Sequence, residues 1–122
     1  MKQKILVIDD ESEIGLLLSI VASRNGYEAK YSLDLASGAK LLKDYEPDIL
    51  FLDINLPDGN GLDCIRHFKE QNSNLKIIMI SAIDTLVNKQ KAIKEGANEF
   101  MAKPFDIKQL NTILHKYKNG TY

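Results

Sequence analysis

The chain has 122 residues, with 16 Lys and Arg against 17 Asp and Glu and a formal net charge of −1. Hydrophobic residues at 44% and charged residues at 27% are ordinary globular usage, which excludes a disordered or collagen-like chain and suits one compact domain over residues 1–122. The even charge argues against direct nucleic-acid binding, no apolar run approaches a membrane span, and the single Cys64 cannot form an internal disulfide, so a reducing cytoplasm is expected.

Met1-Lys2-Gln3-Lys4 leads into Ile5-Leu6-Val7-Ile8, a continuous apolar run of the kind found in strands buried on both faces of a parallel sheet. Asp9-Asp10-Glu11 comes directly after it. Ile14, Leu17, Leu18 and Val21 recur at i, i+3, i+4 and i+7 and predict a first helix, stopped at Asn25-Gly26. Leu16 and Ile20 lie beyond that stripe and are expected to pack against a neighbouring helix. The half-polar run Ala29-Lys30-Tyr31-Ser32 suits an edge strand. A second helix shows Ala39 and Leu42 on one face and ends before Pro47, whose ring pushes Glu46 out of helical geometry.

Ile49-Leu50-Phe51-Leu52 is the third apolar run and ends in Asp53. Asn55-Leu56-Pro57 and the turn pairs Asp58-Gly59 and Asn60-Gly61 come next. Leu62, Ile65 and Phe68 mark a third helix, with Cys64 as a small core thiol and His67 facing solvent. Ile77-Ile78-Met79-Ile80 is the fourth strand and ends in Ser81-Ala82. Leu86, Ile93 and the stop Gly96 mark a fourth helix, and Glu99-Phe100-Met101-Ala102 is a weaker fifth strand before Lys103-Pro104-Phe105. Asp106 and Gln109 have the spacing of a capping box, and the last helix runs on through Ile107, Leu110, Ile113, Leu114 and Tyr117, with His115 outward.

Five strands alternating with five helices predict an α/β fold, a doubly wound five-stranded parallel sheet of flavodoxin-like type. Ligands of such sheets bind beyond the carboxyl ends of the strands, where strand order reverses. Of the polar residues at those strand ends, Asp9, Asp10, Asp53, Ser81 and Lys103 converge on one rim. Neighbouring carboxylates repel, and a hard divalent cation relieves that repulsion; Mg²⁺ takes oxygen ligands, often one or two carboxylates and a phosphate. Lys103 supplies a charge for Asp53 or for phosphoryl oxygens, and Ser81 a hydroxyl donor. The set suits in-line phosphoryl transfer with Asp53 as nucleophile, forming an aspartyl phosphate. Each residue alone is an ordinary cap, turn or loop residue; the conjunction carries the reading.

These positions resemble the receiver domain of two-component response regulators. The resemblance rests on Asp9-Asp10, on Asp53 after Leu-Phe-Leu, on Leu56-Pro57 and Gly59-Asn60-Gly61, and on Ser81-Ala82, Gly96-Ala97 and Lys103-Pro104-Phe105, and it runs from about Lys4 to Tyr117. It implies strand order 2-1-3-4-5 and phosphorylation of Asp53 by a sensor histidine kinase or a phosphotransfer protein. It implies Mg²⁺, with Mn²⁺ as a substitute, held by Asp9, Asp10, Asp53 and the backbone carbonyl of Asn55. Ser81 would touch the phosphoryl group and Lys103 pair with it, while Phe100 stands at the switch aromatic and the Lys103-Pro104 bond is cis. Ser81 moving toward the phosphoryl oxygens would let Phe100 rotate inward and repack the face of the fourth helix, fifth strand and fifth helix. Kinase contact is implied for Ile14, Leu17, Pro104 and Phe105. Ser81 and Phe100 stand where the family more often has Thr and Tyr.

The resemblance further implies a phosphoacceptor that assists its own phosphorylation and slow dephosphorylation without being a turnover enzyme, a monomer or a phosphorylation-dependent dimer. The downstream partner is a separate protein or an output domain outside this chain, and Met1 close before the first strand suits a stand-alone regulator. An aspartate-nucleophile phosphatase of haloacid-dehalogenase type is the alternative, since Leu52-Asp53-Ile54-Asn55 loosely resembles its nucleophile strand, though the second catalytic acid is here Asn55. A flavin module lacks its hydroxyl-rich phosphate loop in this chain, and no G-x-G-x-x-G or Walker loop is present.

Overall fold

A computed structural model describes residues 2–118. Met1 and residues 119–122, the two ends of the domain expected over 1–122, lie outside the described residues. The strands are β1 (Lys4–Ile8), β2 (Glu28–Ser32), β3 (Ile49–Asp53), β4 (Lys76–Ser81) and β5 (Glu99–Ala102). They form one parallel sheet in the spatial order β2-β1-β3-β4-β5. The helices are α1 (Ser12–Arg24), α2 (Leu35–Tyr45), α3 (Ile65–Gln71), α4 (Leu86–Glu95) and α5 (Ile107–Lys116).

Side chains alternate across the sheet with period two, so each apolar run feeds two core layers. Leu6, Ile8, Leu50, Leu52, Ile77 and Met79 face α2, α3 and α4, meeting Leu42, Ile65, Phe68 and Ala92. Ile5, Val7, Ile49, Phe51, Ile78 and Ile80 face α1 and α5, meeting Leu18, Val21, Leu110 and Leu114. Burying a side chain such as Leu or Phe contributes about 1.5–3 kcal/mol, so these layers dominate the folding energy. β2 is the half-polar edge strand expected of it, with Glu28, Lys30 and Tyr31 exposed.

Helix ends obey their signals. Gly26 at φ 82° and Gly96 at φ 118° end α1 and α4 in left-handed geometry. Glu46, forced from helical geometry before Pro47, takes φ 53° at the end of α2. Asp106 and Gln109 form the reciprocal capping box of α5.

Four details depart from the sequence reading. Leu62 lies in a 3₁₀ turn, Gly61–Cys64, that leads into α3. Ala39 is exposed, and α2 instead turns Gly38, Leu42 and Tyr45 inward. Leu16 and Ile20 do not pack against a neighbouring helix; they are 56% and 46% exposed. In α4 the marker residues Leu86 and Ile93 face outward and Ala92 alone is buried. The helix is tied to the preceding segment by Arg66–Glu95 at 2.7 Å and Lys91–Asp63 at 3.4 Å.

Candidate functional site

Strand register places the acidic residues together. Ile8 pairs with Leu52, so Asp9 and Asp53, each the next residue, emerge side by side at the carboxyl rim where strand order reverses. Asp53 in turn pairs with Ile80, one residue before Ser81. Asp9, Asp53 and Ser81 are buried, while Asp10 and Glu11 are exposed. One carboxylate oxygen from each of Asp9, Asp10, Glu11 and Asp53 lies within 4.8 Å of the others.

Lys103 closes this group from the end of β5. Its Nζ stands 2.8 Å from Asp9 Oδ2, 2.8 Å from Glu11 Oε1 and 3.2 Å from Asp53 Oδ2. It donates hydrogen bonds to Glu11 and Asp53. The Asp9 contact is an ion pair without hydrogen-bond geometry. Asp9 Oδ1 accepts the Glu11 N–H at 2.8 Å, but the buried Oδ2 has no hydrogen-bond partner. The Lys103 N–H donates to the Ser81 carbonyl at 2.8 Å, and the Lys103-Pro104 peptide is cis.

The charges of this cluster are unevenly met. Burial and then the Asp9 charge push the Asp53 carboxyl up to about 6, against the pull of Lys103 and the Asn55 N–H. Burial opposes the Lys103 ammonium, yet hydrogen bonding to Asp9 and Glu11 and the charge of Asp53 hold it above the ordinary lysine range. One ammonium faces four acids. A metal ion fits such a site: the donors are hard oxygens, negative charge is in excess, and the buried Asp9 Oδ2 lacks a donor.

The other anticipated residues fall around this centre. Ser81 Oγ accepts the Ile83 N–H at 3.0 Å. Phe100 is half-buried against the α2–α3–α4 core layer, with Lys89 Nζ 6.0 Å from its ring centroid. Asn55 starts a short hairpin in which Asn55 pairs with Asn60 and Leu56 with Gly59. Ile14, Leu17, Pro104 and Phe105 line, with Glu11, Ala82 and Lys103, one cavity of about 450 Å³ beside the acidic centre. His67 and His115 are exposed, and Cys64 is only partly buried.

Two residues take parts that their sequence context does not announce. Glu11 is visible as a third acid after β1, but its pairing with Lys103 depends on a residue at the far end of the chain. Gly61 reads as a turn glycine, yet a Cβ there would overlap the backbone carbonyl oxygen of Asp53.

The sequence profile of the response regulator receiver domain matches residues 5–115. The chain belongs to that family. It is 35% identical over 116 residues to the DNA-binding transcriptional regulator NtrC of Azospirillum brasilense, covering 95% of this chain and 24% of that protein. It thus spans about a quarter of that relative's length. The chemotaxis protein CheY of Thermotoga maritima is 32% identical and is matched over 98% of its length and 95% of this chain. Among solved structures, the beryllofluoride-activated NtrC4 receiver domain dimer superposes with a TM-score of 0.87 at 31% identity, covering 93% of each chain. A CheY-like receiver domain protein from Methanospirillum hungatei, at 22% identity, shares the fold with a TM-score of 0.89 over 95% of this chain and 93% of that one.

This receiver domain carries its central aspartate after the third strand, not the first, and the haloacid-dehalogenase alternative finds no support. A phosphoacceptor role in two-component signalling fits it. No helix among its described residues is long and apolar enough to cross a membrane.

Proposed function

We propose that Asp53 accepts a phosphoryl group from the phosphohistidine of a sensor histidine kinase or a phosphotransfer protein. The observation that carries this is the buried Asp9–Asp53 pair bridged by Lys103 at 2.8 and 3.2 Å. An Asp53 oxygen attacks phosphorus, the phosphorus–nitrogen bond breaks, and its electron pair leaves with the imidazole. Asp9, Asp10, Asp53 and the Asn55 carbonyl would hold Mg²⁺, or Mn²⁺ in its place; the ion, when bound, offsets charge on the transferring oxygens. Lys103, already aimed at Asp53, neutralises charge on the product, and Ser81 donates its hydroxyl to a phosphoryl oxygen.

The cavity lined by Ile14, Leu17, Pro104 and Phe105 opens next to Lys103 and suits the apolar flank of a phosphodonor protein. Ser81 turning from the Ile83 N–H toward the phosphoryl group would draw Phe100 inward and repack α4, β5 and α5. That change would control a downstream protein or an output domain, as a monomer or a phosphorylation-dependent dimer in the cytoplasm. In this reading residues 1–122 are one receiver unit that assists its own phosphorylation and slow dephosphorylation and does not turn over substrate.

Incubation with acetyl phosphate and Mg²⁺, followed by intact mass, tests it. The unchanged protein gains one phosphoryl group and the Asp53→Ala variant gains none. Equal labelling of both would overturn the assignment.

A further inference from the structure

We propose that Asp58 is a positioning residue for the acidic centre, fixing the hairpin beyond Asp53 through two hydrogen bonds to the start of α2. This rests on the metal-dependent phosphoacceptor reading and concerns what gives that centre its shape. The hairpin carries Asn55, whose N–H faces the Asp53 carboxylate and whose carbonyl belongs to the proposed ligand set. A short two-stranded hairpin is marginally stable by itself in water, so something must hold its tip.

Asp58 Oδ1 accepts the Leu35 N–H at 2.8 Å, and Oδ2 accepts the Ala36 N–H at 2.9 Å. These donors lie in the first turn of α2, where N–H groups lack intrahelical acceptors and the helix dipole favours a carboxylate. Asp34, immediately before the helix, covers the Ser37 N–H at 2.8 Å. The open donors of α2 are therefore shared between a local cap and a carboxylate 22 to 23 residues away. Leu35 also rests on the hairpin, since a Cβ at Gly59 would come within 2.8 Å of its Cδ1.

The same segment reaches the opposite side of the acidic centre. The Ser32 carbonyl accepts the Asp9 N–H at 3.1 Å, and Ser32 Oγ donates to the Asp34 carbonyl at 3.3 Å. Residues 32–36 are thus a strap tied to Asp9 at one end and to Asp58 at the other. Cutting the Asp58 tie loosens the Asn55 side of the site without deleting a ligand atom. Mg²⁺ tolerates little departure from octahedral geometry, so drift of the hairpin weakens its binding. Outer partners of metal ligands typically change affinity 10–100-fold; the exposed position of Asp58 puts it at the lower end, about tenfold.

Mg²⁺ titration by calorimetry, with thermal unfolding in EDTA to verify folding, tests the proposal on four proteins. Asp58→Ala binds Mg²⁺ about tenfold more weakly than the unchanged chain, and Asp58→Asn, which keeps one acceptor oxygen, falls between. Asp34→Ala, which weakens the same helix start without releasing the hairpin, lowers Tm and leaves Mg²⁺ affinity unaltered. Unchanged affinity in Asp58→Ala overturns the proposal, as does an equal loss in Asp34→Ala, which would make Asp58 a helix cap only. If Asp58→Ala fails to fold, Asp58→Asn carries the same comparison. A wild-type chain that binds no Mg²⁺ would remove the metal-dependent reading itself, and this inference with it.

Discussion

Glu11 and Lys103 form a 2.8 Å hydrogen bond across the mouth of the acidic centre, and the same ammonium reaches Asp53 at 3.2 Å. Glu11 therefore competes with the phosphoryl group for Lys103 and places a negative charge in the path of an anionic donor. Its side chain is 56% exposed, so the interaction is screened by solvent. Glu11→Gln keeps an acceptor and removes the charge. Labelling by acetyl phosphate is expected to be about two- to fivefold faster in this variant, the scale of about 0.5–1 kcal/mol for a partly screened charge. A slower variant would show that Glu11 aids Lys103 instead of diverting it.

The Asp53 carboxyl, raised to about 6 from 3.8, sets a pH dependence of stability in the absence of metal. A raised acid favours the fold fully below its unfolded pKa, and that contribution is lost as pH rises through the folded value. In EDTA, Asp53→Asn should therefore be more stable than the unchanged protein at pH 7, by about 1–3 kcal/mol, with the difference closing below about pH 4. Urea unfolding at the two pH values measures it. Equal stability at pH 7 would mean the acid is not disfavoured in its charged form.

Gly61 is held where a side chain cannot fit, against the Asp53 backbone carbonyl. The obstacle is backbone, which cannot swing aside. Gly61→Ala should lower stability by about 1–3 kcal/mol, on the scale of overpacking, and slow acetyl phosphate labelling by displacing Asp53. Thermal unfolding and intact mass measure the two effects, and a variant with an unchanged labelling rate would uncouple Gly61 from the site.

Ile83, 49% exposed and two residues beyond Ser81, stands on the expected path of water to an aspartyl phosphate. An apolar side chain cannot orient that water. Ile83→Glu should lose its phosphoryl group faster by roughly tenfold, below the 10²–10⁴ of a fully placed general base. Decay of the phosphorylated mass over time reports the rate.

Ser81 Oγ is occupied by the Ile83 N–H before any phosphoryl group arrives. Ser81→Ala removes the hydroxyl that would move, so phosphorylation should no longer shift the amide resonances of α4, β5 and α5. A full set of shifts in that variant would exclude Ser81 from the switch.

The strand ends are the most legible part of this sequence. Ile5–Ile8, Ile49–Leu52 and Ile77–Ile80 are apolar at every position because both faces of the inner strands are covered, and polar residues begin where that cover stops. Parallel register then fixes Asp9 beside Asp53 without further information. Helix faces are less legible. Glycine carries no periodic signal, so Gly38, packed against Ile8, escapes a pattern that points the exposed Ala39 inward. In α4, Leu86 and Ile93 carry the apolar pattern but Ala92 takes the buried place. The bond from Asp58 to Leu35 joins residues 23 apart through a backbone donor, and no local pattern encodes such a partner.

The seating of α4 bears on how a signal would cross this molecule. One methyl group, on Ala92, enters the core, and the ties Arg66–Glu95 and Lys91–Asp63 are exposed and softened by salt. A helix moored so lightly can slide or tilt while both hydrophobic layers stay closed. The rigid sheet and the adaptable surface are thereby built from separate parts of one small chain.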